Sequence, residues 1–118
     1  MEEALHHFVS KLHGGLLALV ILVSLAVLGK AADWLVVTAP FAPGSKHLVG
    51  DKVFSRMQAH SRLIVVSRGG VVEEGALLKA LESGRIAGAA LDVFESEPLA
   101  KDSPFWDFPN VLITPHVS

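Results

Sequence analysis

With 118 residues the chain has room for one modest globular domain, and at 51% hydrophobic residues it can bury a real core. A formal charge of -2, with acids and bases interspersed, provides no basic stripe to follow a phosphate backbone, which argues against a nucleic-acid partner. Cysteine is absent, which excludes disulfide scaffolds, thiolate metal sites and cysteine nucleophiles, and fits a reducing cytoplasm.

The first stretch, MEEALHHFVSKLHGG, leads into the apolar run Leu16 to Leu28. That run is shorter than the ~20 residues that cross a bilayer, and its flank opens with Glu2 and Glu3 where a signal peptide has bases. A buried hydrophobic helix is therefore expected over residues 1–30, with membrane association through Leu16 to Leu28 as the weaker alternative. His6, His7 and His13, with Glu3 one turn from His7, read as a solvated helix face and not as a metal site.

Residues 31–118 are more regular and read as one domain. WLVVT, Trp34 to Thr38, predicts a strand, and FAPGSKH an irregular loop. Asp51 is expected to cap a helix DKVFSRMQ whose Val53, Phe54 and Met57 face inward. RLIVVS, Arg62 to Ser67, predicts a second strand that stops at Arg68-Gly69-Gly70. EEGALLKALESG then predicts a helix with Leu77, Leu78 and Leu81 inward, acids in its first turn and Gly84 as a left-handed terminator. IAGAALDVF and NVLITP supply the third and fourth strands.

Apolar strands alternating with helices predict an α/β parallel sheet covered on both faces. Ligands of such sheets gather at the carboxyl ends of the strands. The groups at those ends are Thr38, Pro40, Ser67, Arg68, Asp92, Thr114 and His116. Arg68 can grip a carboxylate with its planar fork or be a surface arginine. His116, after Thr-Pro, can exchange protons near neutral pH or serve structure alone. Glu97, before Pro98, can orient an imidazole or stay solvated, and Asp92 can meet a ligand or cap a turn. Glu95 is expected to be merely solvated.

The stretches VVSRGGVVEEGALLKALESGRIAGAALDVFESEPL and SPFWDFPNVLITPH strongly resemble the nucleotide-binding domain of the D-isomer-specific 2-hydroxyacid dehydrogenases, glyoxylate/hydroxypyruvate reductases among them. ADWLVVTAPFAPGSKHLVG resembles that family's preceding strand and loop, so the likeness covers Ala32 to Ser118. The resemblance implies NAD or NADP as cofactor and a small 2-keto or 2-hydroxy acid as substrate. It implies that Arg68 holds the substrate carboxylate, that His116 exchanges the proton of the keto oxygen, and that Glu97 partners His116. It further implies that Asp92 contacts the nicotinamide amide, while Thr38, Ala39, Pro40 and Ser67 line the cofactor pocket together with Arg68 and His116. An acid at Glu97, where related formate dehydrogenases place an amide, favours the hydroxyacid branch.

The chain departs from that family in having no GxGxxG loop to bind a pyrophosphate at a helix amino-terminus. It is thus expected to be a partial Rossmann-like doubly wound sheet, the second half, with an added N-terminal hydrophobic helix. Such a half sheet exposes an unpaired edge that invites homo-oligomers, and weak or absent turnover is expected of it alone. A non-catalytic NAD-binding module like the corepressors of this fold is the alternative, and cofactor-dependent partner binding without turnover would distinguish it.

Overall fold

A computed structural model describes residues 32–118. The expected helix over residues 1–30, its boundary at residue 31, its histidines and the packing of its apolar run lie outside the described residues.

Four strands run in chain order, β1 (Trp34–Val37), β2 (Arg62–Val65), β3 (Gly88–Leu91) and β4 (Val111–Ile113). They form one sheet of order β1-β2-β3-β4, every pair parallel. Helix α1 (Asp51–Phe54) lies between β1 and β2, and α2 (Glu74–Glu82) between β2 and β3. A 3-10 turn, Pro104–Asp107, precedes β4. The α/β parallel architecture is as the apolar runs predict.

The register places Val37, Val65, Leu91 and Ile113 side by side at the last rung. Because all four strands point the same way, the residues that follow them emerge along one rim. This alignment is what gathers the site.

One face of the sheet carries the core. Leu35, Val37, Leu63, Val65, Ala89 and Leu91 are buried there with Val53, Phe54, Met57, Leu77 and Leu81. Among the described residues the opposite face lacks the cover expected on both sides: Trp34, Val36 and Leu112 are more than half exposed. β1 alternates exposed and buried although all four of its residues are apolar. Hydrophobicity without alternation concealed this one-sided burial. Arg62 lays its guanidinium over the Trp34 ring, 5.4 Å from the centroid, and so covers part of that open face.

The elements are shorter than their sequence patterns. Helix α1 is a single turn that stops at Phe54, not Gln58; Met57 still packs inward because its N–H bonds back to Val53 and Phe54. Asp51 does not cap it: Gly50 occupies the cap position with no side-chain bond, and Asp51 stands in the first turn. In α2, Ala76, Leu77, Ala80 and Leu81 are buried, whereas Leu78 sits half-buried at the margin of the core. Gly84 takes φ +70 and ends α2 as expected, a conformation that costs glycine little. Among the described residues no helix is long and apolar enough to cross a membrane.

Candidate active site

Arg68 follows β2 by three positions and enters a tight turn. A Cβ on Gly69 would stand 1.9 Å from the carbonyl oxygen of Phe94, so only glycine lets the turn lie against the segment after β3. This close approach brings Arg68 towards the Phe94–Glu97 loop. The guanidinium donates to the carbonyl of Ser67 at 2.6 Å and remains exposed to the rim.

His116 follows β4 and takes φ +57, an uncommon left-handed conformation for a residue with a side chain. Asp92 holds it there. Its buried carboxylate accepts from Thr114 Oγ1 at 2.5 Å and from the N–H groups of Val117 and Ser118, both at 2.9 Å, as well as from the Ser118 hydroxyl. These bonds bracket His116 on both sides. The Ser118 hydroxyl first, then Thr114 and the Val117 N–H, keep Asp92 far below the usual carboxylate range. Of the two roles open to Asp92, the geometry displays the capping one.

Glu97 joins the same group. Its Oε2 lies 2.8 Å from His116 Nδ1, and its Oε1 accepts the Phe94 N–H at 3.0 Å. The bond to His116 first, then the Phe94 N–H, draw the Glu97 carboxyl below its ordinary value of 4.5. A carboxylate only accepts, so Nδ1 carries the proton in this pair. Nε2 is thereby left facing Arg68, whose Nη1 lies 3.4 Å away. The chain thus brings Arg68, Glu97 and His116 into one cluster.

Three adjoining clefts surround the cluster. One of about 320 Å³ is lined by Phe41, Arg68, Gly69, Phe94, Glu95, Glu97 and His116. A second, about 440 Å³, holds Thr38, Pro40, Phe41, Val66, Ser67 and Arg68, with Ala39 half-buried beside it. Within it the Ser67 hydroxyl is buried and, alone among the described buried side-chain polar atoms, has no hydrogen-bond partner. A third, about 230 Å³, lies behind His116 and Glu97 against Asp92, Leu99, Trp106 and Ile113. Phe94 packs on Phe105 at 5.8 Å between ring centroids and supports that wall from the core.

Two features escape a reading of the sequence. Phe41 lines two of the clefts but looks like one more loop residue. Glu95, expected to be merely solvated, instead pairs with His47 Nε2 at 3.0 Å across 48 positions. No local spacing signals such a pair. No group of three or more metal-binding side chains occurs among the described residues.

Residues 16–118 match the family model described as D-isomer specific 2-hydroxyacid dehydrogenase, NAD binding domain. The chain is 46% identical over 86 residues to D-3-phosphoglycerate dehydrogenase 2, chloroplastic, of Arabidopsis thaliana, covering 73% of this chain and 14% of that protein. It is 45% identical over 86 residues to glyoxylate/hydroxypyruvate reductase B of Pectobacterium carotovorum, covering 73% of this chain and 27% of the reductase. A D-isomer specific 2-hydroxyacid dehydrogenase from Xanthobacter autotrophicus, solved in complex with NADPH and MES, superposes with TM-score 0.77 at 41% identity. That superposition covers 80% of this chain and 39% of the other. The chain therefore spans between about a seventh and two fifths of these relatives.

Proposed function

The chain belongs to the D-isomer-specific 2-hydroxyacid dehydrogenase family, and we propose that it carries the proton-transfer and carboxylate-gripping half of such an enzyme. The reaction proposed is hydride transfer between a nicotinamide, NAD or NADP, and a small 2-keto or 2-hydroxy acid. The observation that carries this is the imidazole of His116, tied to Glu97 at one nitrogen and facing Arg68 at the other.

The chemistry follows from donors and charges. When His116 is protonated, Nε2–H and Arg68 Nη1–H are two cationic donors 3.4 Å apart with no acceptor between them. Such a pair favours a ligand that is anionic and only accepts. A 2-keto acid meets both demands, with its carboxylate on the guanidinium fork and its keto oxygen on Nε2. The nicotinamide, when bound, supplies or accepts the hydride. His116 gives its Nε2 proton to the keto oxygen in reduction and takes it back in oxidation. Glu97 keeps the imidazole in the tautomer and orientation that this exchange needs and offsets the positive charge on the ring.

The cleft at the ends of β1 and β2 suits the nicotinamide end of the cofactor. Its orphaned Ser67 hydroxyl offers the hydrogen bond that a carboxamide or ribose hydroxyl would complete, and Phe41 and Val66 supply apolar walls. Thr38, Ala39 and Pro40 would border the ring, and Asp92 would act mainly by fixing the His116 segment. The sequence lacks a GxGxxG loop for the pyrophosphate, and we propose that turnover by this chain alone is weak or undetectable. A cytoplasmic location and self-association along the sheet edge belong to the same proposal.

Binding of NADH or NADPH with oxalate, a non-reducible stand-in for the keto acid, tests the reading. Titrated into ¹⁵N-labelled chain, the pair is expected to shift the Arg68 and His116 side-chain signals together. Saturating ligand that leaves both signals unmoved would overturn it, as would a clear rate of NADH oxidation overturn the expectation of weak turnover.

A further inference from the structure

Glu95 stands two residues before Glu97 and is held from two directions. Its Oε1 meets His47 Nε2 at 3.0 Å, in the loop after β1. Its own N–H donates to Glu74 Oε2 at 2.6 Å, in the first turn of α2. The N–H of His47 donates in turn to the carbonyl of Gly70 at 2.7 Å, just beyond Arg68. The loops after β1, β2 and β3 are thus cross-tied through one network, and the second and third of them carry Arg68 and Glu97.

Stability does not account for this arrangement. The His47 and Glu95 side chains are 40% and 43% exposed, and an ion pair so open to water contributes little. His47 also holds φ +54, a conformation that disfavours a side-chain-bearing residue. Gly70, at φ +91, gives the turn it bonds the freedom to meet it. Strain spent on a weak exposed pair makes sense where the product is orientation.

Resting on the dehydrogenase reading above, we propose that His47, Glu95 and Glu74 are positioning residues that keep Arg68 and Glu97 in register with His116. His47 would set the Arg68 turn through Gly70 and the Glu97 loop through Glu95. Glu74 anchors that loop to the rigid start of α2. In this role the three act through Arg68, Glu97 and His116 and not on the substrate itself.

Two nuclear magnetic resonance readouts on the full chain test this without requiring turnover. One is the pH midpoint of the Glu97 side-chain carboxyl, followed by ¹³C, and the other is the ¹⁵N pattern of the His116 ring, which reports the protonated nitrogen. His47→Ala and Glu95→Ala are each expected to raise the proton affinity of Glu97 by about threefold or more and to erode the Nδ1-protonated pattern of His116. Glu95→Gln retains an acceptor for His47 and is expected to restore both signals. If both alanine variants lower the melting temperature yet leave both signals at wild-type values, the network is only a brace and the proposal is overturned. A Glu97→Ala chain, which removes the acceptor altogether, whose His116 pattern still matches the wild type would instead overturn the dehydrogenase reading itself, and this proposal with it.

Discussion

The imidazole of His116 and the carboxylate of Glu97 meet at 2.8 Å across 19 positions of sequence. The pair depends on β3 and β4 being parallel neighbours, because only then do the loops that follow them emerge on the same side.

Removing the charge from Glu97 has a pH-dependent cost whose direction is fixed by its lowered folded pKa. The unfolded chain titrates this carboxyl near 4.5, and the folded chain does so below that value. The stabilisation is therefore fully present above about 4.5 and is lost as pH falls through the depressed folded value. Glu97→Gln is expected to lower the urea midpoint at pH 6, and the gap from wild type should narrow steadily on acidification to pH 3. A gap that stays constant with pH would show that the charged pair does not form.

Asp92 makes a second, separable prediction. Its carboxylate organises Thr114, Val117 and Ser118 around His116, so Asp92→Ala strands two backbone N–H groups at once. Amide hydrogen exchange at Val117 and Ser118 should accelerate by about tenfold or more, as expected for lost charge-assisted bonds. Amides of β2, one strand removed, should change far less. The wild-type effect is fully present above the ordinary Asp value of 3.8 and is lost as pH falls through the depressed folded value.

Much of this architecture is legible in the chain, and the reasons are specific. The runs ending at Val37, Val65 and Ile113 announce strands, and the polar residues just past them mark the rim because parallel strands share an orientation. Trp34 and Val36 show where the reading fails: an apolar residue does not state which face it occupies, and here both are exposed. Asp51 looked like a cap by type, yet Gly50 took that position because cap geometry depends on backbone angles that composition does not encode. His47 and Glu95 illustrate the hardest case. Their partnership is created by the fold, through two loops that touch only after β1, β2 and β3 align.

Arg68→Lys tests whether geometry or charge alone matters at the rim. Lysine keeps the positive charge but loses the planar fork that holds both oxygens of a carboxylate. Under the proposed function, oxalate binding in the presence of NADH should weaken by about tenfold or more, the scale of one charge-assisted hydrogen bond. NADH binding without oxalate should weaken less than oxalate binding does, because lysine keeps the positive charge in the cofactor cleft, and isothermal titration distinguishes the two. Equal binding of oxalate by the lysine variant would mean that Arg68 acts as a diffuse charge.

Two glycines give opposite predictions from the same substitution. At Gly69 an added Cβ would lie 1.9 Å from the Phe94 carbonyl oxygen and 2.4 Å from its carbon, and neither backbone atom can swing aside as a side chain would. The Arg68 turn and the Phe94–Glu97 loop would be forced apart, so Gly69→Ala should cost about 3 kcal/mol, the upper part of the range for overpacking. The same change should separate Arg68 from His116, and the side-chain signals of both should move. At Gly75, inside α2, an added Cβ meets nothing within 4 Å. Gly75→Ala should stabilise the fold by about 0.5–1 kcal/mol, because alanine restricts the unfolded chain and favours the helix. Urea denaturation of both variants at neutral pH measures the difference, and a Gly69→Ala chain as stable as wild type would mean that the Arg68 turn does not lie against Phe94.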